Sequence, residues 1–358
     1  MKRAIELARK GAGKVNPNPL VGAVIVKDGN IIAEGYHAAY GELHAERHAF
    51  SRLKESAKGA DMYVTLEPCC HHGKQPPCTN AIIEHGIKNV YVGSNDPNEL
   101  VAGKGIQELR DAGINVVTEY MKEECDSLNQ VFFHYITTKI PYVLMKYAMT
   151  LDGKTACDTG ESKWVTGEKA RNHVQETRNL LTGIMVGVQT VINDNPSLTC
   201  RIDGGRNPVR IICDSRLRIP DDCQIIRTAK EIPVIVATVS NDAKRISELE
   251  QKGVKIIKTG EDAAGKVNLK ELMIKLGEQK IDGILLEGGG TLNNSALSQG
   301  IVNHVQAYIS PKIFGGSGRY TPVRGSGVDT PDNAYKFTNM HMEMYGEDIL
   351  LEYDIMVD

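Results

Sequence analysis

Short apolar runs alternate with segments of helical spacing along the whole chain, and this alternation is what most limits its fold. In the first part, Leu20–Lys27 and Asp61–Leu66 have strand character, and the turn Asp28-Gly29-Asn30 followed by another apolar run predicts a hairpin. Segments of helical spacing cover residues 44–57, 79–85 and 104–112, and further strands are expected at 89–93 and 114–118. Strands that alternate with helices predict α/β layers around a largely buried sheet.

The same alternation continues beyond a short connector. Helical periodicity ends near His134, and Lys139-Ile140-Pro141 is typical of a connector. Because 358 residues correspond to about two domains, we expect one domain at 1–140 and another at 141–358. The predicted strands of the second domain are 142–149, 184–188, 209–214, 232–238, 254–258, 281–286, 302–310 and 348–353, with a strong helix at 168–181.

Composition and charge exclude several classes of protein. The net charge is −3 at pH 7, so the chain lacks the basic excess of a nucleic-acid binder. No stretch reaches the roughly 18 consecutive apolar residues of a transmembrane helix. The N-terminal segment also lacks the apolar core of a signal peptide. We therefore expect a cytoplasmic protein with neither nucleic-acid nor membrane partners.

A cluster of histidine and cysteine in the first domain has the spacing of a zinc-dependent deaminase. His44-Ala45-Glu46 opens a predicted helix, Pro68-Cys69 follows a strand, and Cys78 comes later. A catalytic zinc takes three such ligands and leaves one position for water, whose pKa it lowers to about 7. A nearby carboxylate that is not a ligand, here Glu46, can move the proton. The H-x-E and P-C arrangement is the known signature of base deaminases.

One departure leaves alternatives open at this point. The usual cysteine pair is separated by two residues, whereas eight separate Cys69 from Cys78, so Cys70, His71 or His72 could be a ligand instead. With four ligands the site would be a closed structural zinc site, as in a regulatory or binding module. A nucleic-acid deaminase with an unrelated second domain is a further alternative, against which the balanced charge argues.

The second domain contains a glycine stretch between a predicted strand and a helix. Glu287 is followed by Gly288-Gly289-Gly290, and glycine lets a backbone approach an anion at a helix N-terminus. The stretch suggests a nucleotide phosphate. It is not G-x-G-x-x-G, and no acidic residue lies about twenty positions further on, so a standard dinucleotide fingerprint is not supported.

The motifs of the first domain resemble those of a known family. Residues 16–22 (NPNPLVG), Tyr36-His37, His44-Ala45-Glu46 and residues 65–78 (TLEPCCHHGKQPPC) are similar to the deaminase half of the bifunctional deaminase–reductases of riboflavin biosynthesis, the RibD/RibG type. The long insert between the cysteines belongs to that pattern. The resemblance implies that zinc is bound by His44, Cys69 and Cys78 and that Glu46 is the proton shuttle. It further implies substrate contacts by Asn18, His37, Lys74, Asp96 and Asn98, with His71 a weaker candidate.

The second domain resembles the same family's reductase half, which implies a dihydrofolate-reductase-like fold and NADPH as cofactor. The matching segments are residues 146–154 (KYAMTLDGK), 160–166 (GESKWVT), 186–191 (VGVQTV) and 194–201 (DNPSLTCR), together with the glycine stretch. The implied cofactor residues are Ala148, Trp164, Thr190, Asp194, Gly289, Gly290, Thr291, Leu292, Asn293, Asn294 and Ser295. The implied substrate residues are Ser162, Arg178, Leu198, Arg201 and Glu287.

Arg178 and Arg201 suit a phosphate clamp, because guanidinium binds phosphate through two parallel hydrogen bonds. Lys146, Asp194 and Glu287 are the polar candidates nearest the chemistry. Trp164, the single tryptophan of the chain, could instead be an ordinary core residue, and residues 194–196 (DNP) could be only a turn.

The resemblance as a whole implies a bifunctional enzyme. The first domain, a cytidine-deaminase-like α/β/α fold, would hydrolytically deaminate 2,5-diamino-6-(5-phosphoribosylamino)pyrimidin-4(3H)-one. The second would use NADPH to reduce the ribosyl group of the product to ribityl. The family is often oligomeric through its reductase half, so we expect a homo-oligomer, either a dimer or a tetramer.

Overall fold

The computed structural model describes residues 1–71 and 75–356. These residues pack as two compact units, Met1–Lys139 and Ile140–Asp358. Among the described residues, no helix is both long and apolar enough to cross a membrane.

The first unit is a mixed sheet with helices packed against it. Its strands are β1 (Gly22–Lys27), β2 (Asn30–Tyr36), β3 (Asp61–Leu66), β4 (Asn89–Ser94) and β5 (Asn115–Val117). Its helices are α1 (Lys2–Arg9), α2 (Ala45–Phe50), α3 (Cys78–Glu84), α4 (Lys104–Asp111), α5 (Lys122–Leu128) and α6 (Gln130–Thr138). The strand order is β2-β1-β3-β4-β5. Strand β1 is antiparallel to β2 and β3, whereas β3, β4 and β5 run parallel.

Helix α2 lies directly on β2 because a glycine allows the close approach. A Cβ atom on Gly35 would lie 2.3 Å from both the Ala45 carbonyl oxygen and the Ala49 nitrogen. Any side chain there would push the helix away from the sheet. Since α2 begins immediately after His44 and contains Glu46, this contact sets the depth of both side chains in the unit.

The second unit is a longer mixed sheet. Its strands are β6 (Tyr142–Thr150), β7 (Gly183–Gly187), β8 (Val209–Cys213), β9 (Val234–Thr238), β10 (Val254–Lys258), β11 (Gly283–Leu286), β12 (His304–Ser310), β13 (Phe337–Tyr345) and β14 (Asp348–Ile355). Its helices are α7 (Glu168–Leu180), α8 (Val188–Asp194), α9 (Gln224–Arg227), α10 (Ala243–Gln251), α11 (Leu269–Gly277) and α12 (Gly290–Ser298).

Parallel pairing dominates that sheet, whose strand order is β10-β9-β8-β7-β11-β6-β12-β14-β13. The strands from β10 to β12 are parallel, and β14 and β13 close the sheet in antiparallel pairing. Loops after the carboxyl ends of parallel strands meet at one edge of the sheet, which is where α/β proteins bind their ligands. The end of β11 leads there into Glu287 and the glycine stretch.

The hairpin predicted around Asp28-Gly29-Asn30 is confirmed, since β1 and β2 pair antiparallel on either side of it. The prediction of a helix over 44–57 is wrong in its extent, because α2 ends at Phe50. Leu53 and Ala57 still pack on the core from the turns that follow. Apolar residues therefore recur at helical spacing beyond the end of the helix. Strand β13 was not predicted, because its residues are almost all exposed and alternate methionine with polar side chains.

Candidate active sites

Three side chains of the first unit form a cluster suited to a metal ion. The Nδ1 atom of His44 lies 3.5 Å from the Sγ of Cys69 and 3.5 Å from the Sγ of Cys78. Each comes from the end of an element: His44 precedes α2, Cys69 follows β3, and Cys78 begins α3. The Cys69 carbonyl accepts hydrogen bonds from the Cys78 and Thr79 amides, which ties the two cysteine segments together.

The cluster fits zinc on geometric grounds. Bonds of about 2.3 Å to sulfur and about 2.0 Å to nitrogen at a tetrahedral angle put the two ligand atoms about 3.5 Å apart. The hydrogen bond from Cys78 lowers the pKa of Cys69, which favours the thiolate that a metal requires. Cys70 lies outside the cluster, since its thiol donates to the Leu100 carbonyl. In the described part of the chain only these three residues form such a group, and His72 lies outside the described residues.

Glu46 is a buried carboxylate beside this cluster. It lies on the first turn of α2, two residues after His44, and is only 3% exposed. Burial and the neighbouring Cys69 raise the pKa of Glu46 to about 7. A carboxyl group with a pKa near neutrality can both take up and release a proton, as a general acid–base group must.

A cavity of about 330 Å³ opens over the cluster, and several residues implied by the sequence line it. Asn18 and His37 are held together there, with Asn18 Nδ2 3.1 Å from His37 Nε2. His37 Nδ1 lies 3.1 Å from the Leu43 carbonyl and so donates to it, which leaves Nε2 to accept from Asn18. Burial lowers the pKa of His37, which favours this neutral form. Because the hydrogen bond to His37 holds the Asn18 side-chain nitrogen, the orientation of the Asn18 amide oxygen is fixed as well.

Asp96 and Asn98 line the same cavity from the loop after β4. Asp96 accepts a hydrogen bond from the Asn98 amide at 2.8 Å, and burial raises the pKa of Asp96 to about 6. Glu67 organises this loop, because its carboxylate accepts from the amides of Asp96, Gly103 and Ile106. His71 also lines the cavity. Lys74 lies outside the described residues.

One wall of this cavity was not anticipated from the sequence. Phe132, Tyr135 and Ile136 of α6 line it. Their i, i+3, i+4 spacing marks an apolar helix face. Nothing in that spacing distinguishes a face that lines a cavity from one that packs on the core, so the pattern alone could not assign them to the site.

In the second unit, a charged cluster gathers at the carboxyl end of β11. Arg178 of α7 makes a two-point ion pair with Glu287, with nitrogen–oxygen distances of 3.2 and 2.7 Å. Burial alone would raise the pKa of Glu287. The positive charges of Arg178 and Lys146 outweigh the effect of burial and lower this pKa to about 2. Burial lowers the pKa of Lys146, and the charge of Arg178 adds to this effect.

The segment 198–201, which contains two of the other residues implied for the reductase substrate, lies against α7. Arg178 also donates to the Thr199 carbonyl at 3.0 Å, so part of its guanidinium is committed to the protein. The Arg201 charge also contributes to the low pKa of Glu287. Leu198 is buried with a positive φ of 54°. Ser162 is half-buried in the loop that precedes α7.

A cavity of about 410 Å³ at the ends of β7 and β8 holds part of the implied cofactor set. Thr291, Leu292 and Ser295 of α12 line it, and a Cβ on Gly289 would lie 3.8 Å from the Thr190 hydroxyl. Asn293 and Asn294 contact the segment 322–325 instead, since Asn293 donates to the Pro322 carbonyl and Asn294 fits against Gly325. Ala148 packs against the small core cluster that includes Tyr308.

The cations in this second cavity are not predictable from the sequence. Arg216, Arg218 and Lys266 line it, and no carboxylate is among the described lining residues. A cavity with this charge beside the N-terminus of α12 suits the phosphates of a dinucleotide. These cations follow β8 and β10, far in sequence from the glycine stretch, so spacing could not connect them.

The alternative that Trp164 is an ordinary core residue is wrong, because its side chain is 58% exposed. It lies in the loop before α7, next to Lys163. The Lys163 charge acts on Asp194, opposing the burial that raises the pKa of that carboxyl.

The folds and sites together define a zinc-dependent deaminase joined to a reductase. A profile of the cytidine and deoxycytidylate deaminase zinc-binding region matches residues 1–94, and one of the RibD C-terminal domain matches residues 141–351. The riboflavin biosynthesis protein RibD of Actinobacillus pleuropneumoniae is 55% identical over 99% of this chain and 94% of its own length. RibD of Escherichia coli K12 is 40% identical over 89% of each chain.

Solved structures agree with these sequence relatives. The deaminase–uracil reductase of Thermotoga maritima has a TM-score of 0.86 and 41% identity, covering 99% of this chain and 97% of that one. RibD of Acinetobacter baumannii, form 1, has a TM-score of 0.88 and 35% identity, covering 99% and 98%. The chain belongs to the RibD family. It is a bifunctional deaminase and reductase of riboflavin biosynthesis, with a zinc-binding deaminase domain and an NADPH-dependent reductase domain. The expected fold class is thereby confirmed.

Proposed function

We propose that residues 1–140 deaminate 2,5-diamino-6-(5-phosphoribosylamino)pyrimidin-4(3H)-one and that residues 141–358 reduce the ribosyl group of the product. The Thermotoga relative is a diaminohydroxyphosphoribosylaminopyrimidine deaminase and 5-amino-6-(5-phosphoribosylamino)uracil reductase, which supports this assignment. The observation that supports it most is the buried Glu46 carboxylate beside His44, Cys69 and Cys78, at the base of a cavity lined by polar side chains. That arrangement suits hydrolysis of a ring amine, in which water adds to the carbon and ammonia leaves.

In the deaminase, each residue has a separate task. His44, Cys69 and Cys78 hold zinc, which when bound lowers the pKa of a water molecule to about 7. Glu46 takes a proton from the attacking water and delivers it to the departing amine. Asn18, His37, Asp96 and Asn98 read the edge of the pyrimidine, and Lys74 pairs with the phosphate of the substrate.

In the reductase, bound NADPH would be the source of a hydride for C1′ of the ribosyl group. The C1′–O4′ bond opens, and the ring oxygen takes up a proton. Glu287 is held ionised by Arg178 and so accepts a hydrogen bond from the substrate and does not donate the proton. Lys146 is the ammonium in this cluster whose pKa is lowered, and we assign it as the proton donor. Arg201, with the free part of Arg178, faces the substrate phosphate.

The deaminase assignment is tested with Glu46→Gln, which removes the proton shuttle but keeps the size of the side chain. We expect ammonia release to fall at least 1,000-fold, roughly the scale of a lost acid–base group, while bound zinc and reductase activity stay at wild-type levels. Glu84→Gln, on the exposed side of α3, is the matched control. Persistent deamination in the Glu46 variant would disprove the mechanism.

The reductase assignment is tested by supplying the deaminated substrate with NADPH that is deuterated on its hydride carbon. Deuterium should appear at C1′ of the ribityl product. A preference for NADH over NADPH, or label at any other carbon, would contradict the assignment. Lys146→Met should abolish this transfer without changing deamination.

We also propose a cytoplasmic homo-oligomer. All eight cysteines are free, as suits a reducing compartment. Strand β13 ends the sheet of the second unit, and Met342 and Met344 on it are 59% and 56% exposed. Their cross-strand neighbours Leu351 and Ile349 extend the same apolar face. A second copy of this chain would cover it.

The oligomer proposal is tested by size-exclusion chromatography with light scattering. The wild-type protein should run as a dimer or tetramer, and the double variant Met342→Lys, Met344→Lys should run as a monomer. Ile274→Lys, at an exposed position on α11, controls for the added charge. A monomeric wild-type protein would refute the proposal.

A further inference from the structure

Asn129 is a buried amide side chain that lies outside the sites described above. It separates α5 from α6 and is only 2% exposed. Burying an amide is costly unless its polar atoms find hydrogen-bond partners. The structure pairs both ends of the Asn129 amide with one distant residue, Leu20, which lies 109 positions earlier in the chain.

The two hydrogen bonds resemble those that a neighbouring strand would make. The Leu20 amide donates to Asn129 Oδ1 at 2.8 Å, and Asn129 Nδ2 donates to the Leu20 carbonyl at 2.9 Å. Leu20 is itself buried and precedes β1, which begins at Gly22. The Asn129 side chain therefore satisfies backbone groups that water does not reach, at a point before the ladder of the sheet begins.

The restraint at Leu20 reaches Asn18 through a stiff connection. Only Pro19 separates the two residues, and its ring fixes the backbone angle φ. The Asn18 amide donates to the Val15 carbonyl at 2.9 Å, and the Asn18 side chain is paired with His37. Since Asn18 lines the deaminase cavity, a shift of Leu20 would move Asn18 relative to that cavity.

The backbone of Asn129 is tied to a second wall of the same cavity. Its carbonyl accepts a hydrogen bond from the Phe133 amide at 2.8 Å in the first turn of α6, and its amide donates to the Asp126 carbonyl of α5 at 3.0 Å. Phe132 and Tyr135 of α6 line the cavity. A single residue thus links the α6 wall to the segment that contains Asn18.

We propose that Asn129 is a positioning residue of the deaminase, which holds Asn18 in the conformation that receives the pyrimidine. The inference rests on the proposed substrate contact of Asn18. Asn129 is not among the described residues that line the cavity, so it acts through Asn18 and not by touching the substrate. A surface already in its bound conformation costs less ordering when a ligand arrives. Asn129 therefore affects substrate binding and not the chemical step.

Asn129→Leu tests this assignment, because leucine has nearly the same shape and can make neither hydrogen bond. We expect the KM of deamination to rise about tenfold, the scale of a hydrogen bond lost from a buried partner, with kcat changed less than about twofold. Hydrogen exchange measured by mass spectrometry on a peptide that contains Leu20 should be faster than in the wild type. Asn115→Leu, at an exposed position on β5, is the matched control.

Bound zinc and reductase activity show whether each variant keeps its fold, and both should stay at wild-type levels. If Asn129→Leu does not retain zinc, the same measurements are made on Asn129→Asp. The ionised aspartate can still accept from the Leu20 amide, but it has no hydrogen to donate to the Leu20 carbonyl.

A double-mutant cycle shows whether Asn129 acts through Asn18. Asn18→Ala removes the side chain that is positioned, so the addition of Asn129→Leu to it should raise the KM by less than about twofold further. A KM that is unchanged in Asn129→Leu, or an effect fully additive with that of Asn18→Ala, would overturn the inference.

The same measurements distinguish this failure from that of the proposed function. If Asn18→Ala raises the KM and Asn129→Leu does not, the inference alone is wrong and the deaminase assignment stands. If Asn18→Ala leaves the KM unchanged, the proposed substrate contact of Asn18 fails, and the inference fails with it. If the wild-type protein releases no ammonia from the diaminopyrimidine substrate, the proposed deaminase function fails first.

Discussion

At the scale of single residues, the pKa values of two largely buried glutamates are shifted in opposite directions by their surroundings. Burial and the neighbouring Cys69 raise the pKa of Glu46 to about 7, because the opposing charge of His44 offsets only part of their effect. Glu287 is desolvated too, yet Arg178 and Lys146 lower its pKa to about 2. The same side chain is thus suited to carry a proton in one site and to remain an anion in the other.

This contrast predicts how Glu287→Gln behaves with pH. The folded-state pKa near 2 lies below the ordinary carboxyl value of about 4.3, so ionised Glu287 stabilises the fold above about pH 4.3. That contribution is lost as the pH falls toward 2. At pH 7 the free energy of unfolding of Glu287→Gln should therefore be about 2 kcal/mol lower than that of the wild type.

The difference should shrink as the pH falls below about 4, because the wild-type carboxyl then becomes protonated. Thermal unfolding of both proteins across this range measures it, with Glu278→Gln at the end of α11 as control. A difference that does not change with pH would show that Glu287 contributes through its shape and not through its charge.

At the scale of elements, the site in the first unit depends on how closely α2 approaches β2. Gly35→Ala introduces a Cβ that would lie 2.3 Å from the α2 backbone, and the helix must move outward with His44 and Glu46. We expect a loss of about 1–3 kcal/mol in stability, less bound zinc and slower deamination, with reductase activity unchanged. Ile31→Ala, exposed on the same strand, is the control. Full zinc content in Gly35→Ala would contradict this explanation.

Elements were predictable where burial shaped their sequence. Strand β3 matches its prediction because β-branched and apolar residues fill both of its faces. Strand β13 could not be predicted, because almost none of its residues is buried. His44, Cys69 and Cys78 belong to short motifs, and the resemblance of these motifs to the family singled them out, whereas their spacing alone left Cys70, His71 and His72 as alternatives. The sequence could not assign Tyr135 or Arg216 to a site. Only folding brings α6, with Tyr135, to the cavity of the first unit, and the end of β8, with Arg216, to the cavity of the second.

At the scale of the whole molecule, each unit has a core of its own. The core of the first unit includes Met62 and Val90, and that of the second includes Met185 and Leu286. A metal held only by residues of the first unit should stabilise that unit alone, by mass action on its folded state.

Removal of zinc by a chelator should therefore abolish deamination and lower the unfolding temperature of the first unit only. NADPH oxidation with the deaminated substrate should stay within about twofold of the untreated protein. Re-addition of zinc should restore deamination. Loss of both activities on chelation would show that the two units depend on one another in a way that their separate cores do not suggest.

The placement of the three metal ligands also has a consequence for the order of folding. His44 lies 25 positions before Cys69 and 34 positions before Cys78, and α2, β3 and α3 must be docked before these three side chains meet. Closing these loops costs conformational entropy, and the pairing of the strands must offset that cost before any bond to a metal can form. Zinc is therefore expected to bind only after the unit has folded. Its binding should slow unfolding and leave the folding rate unchanged.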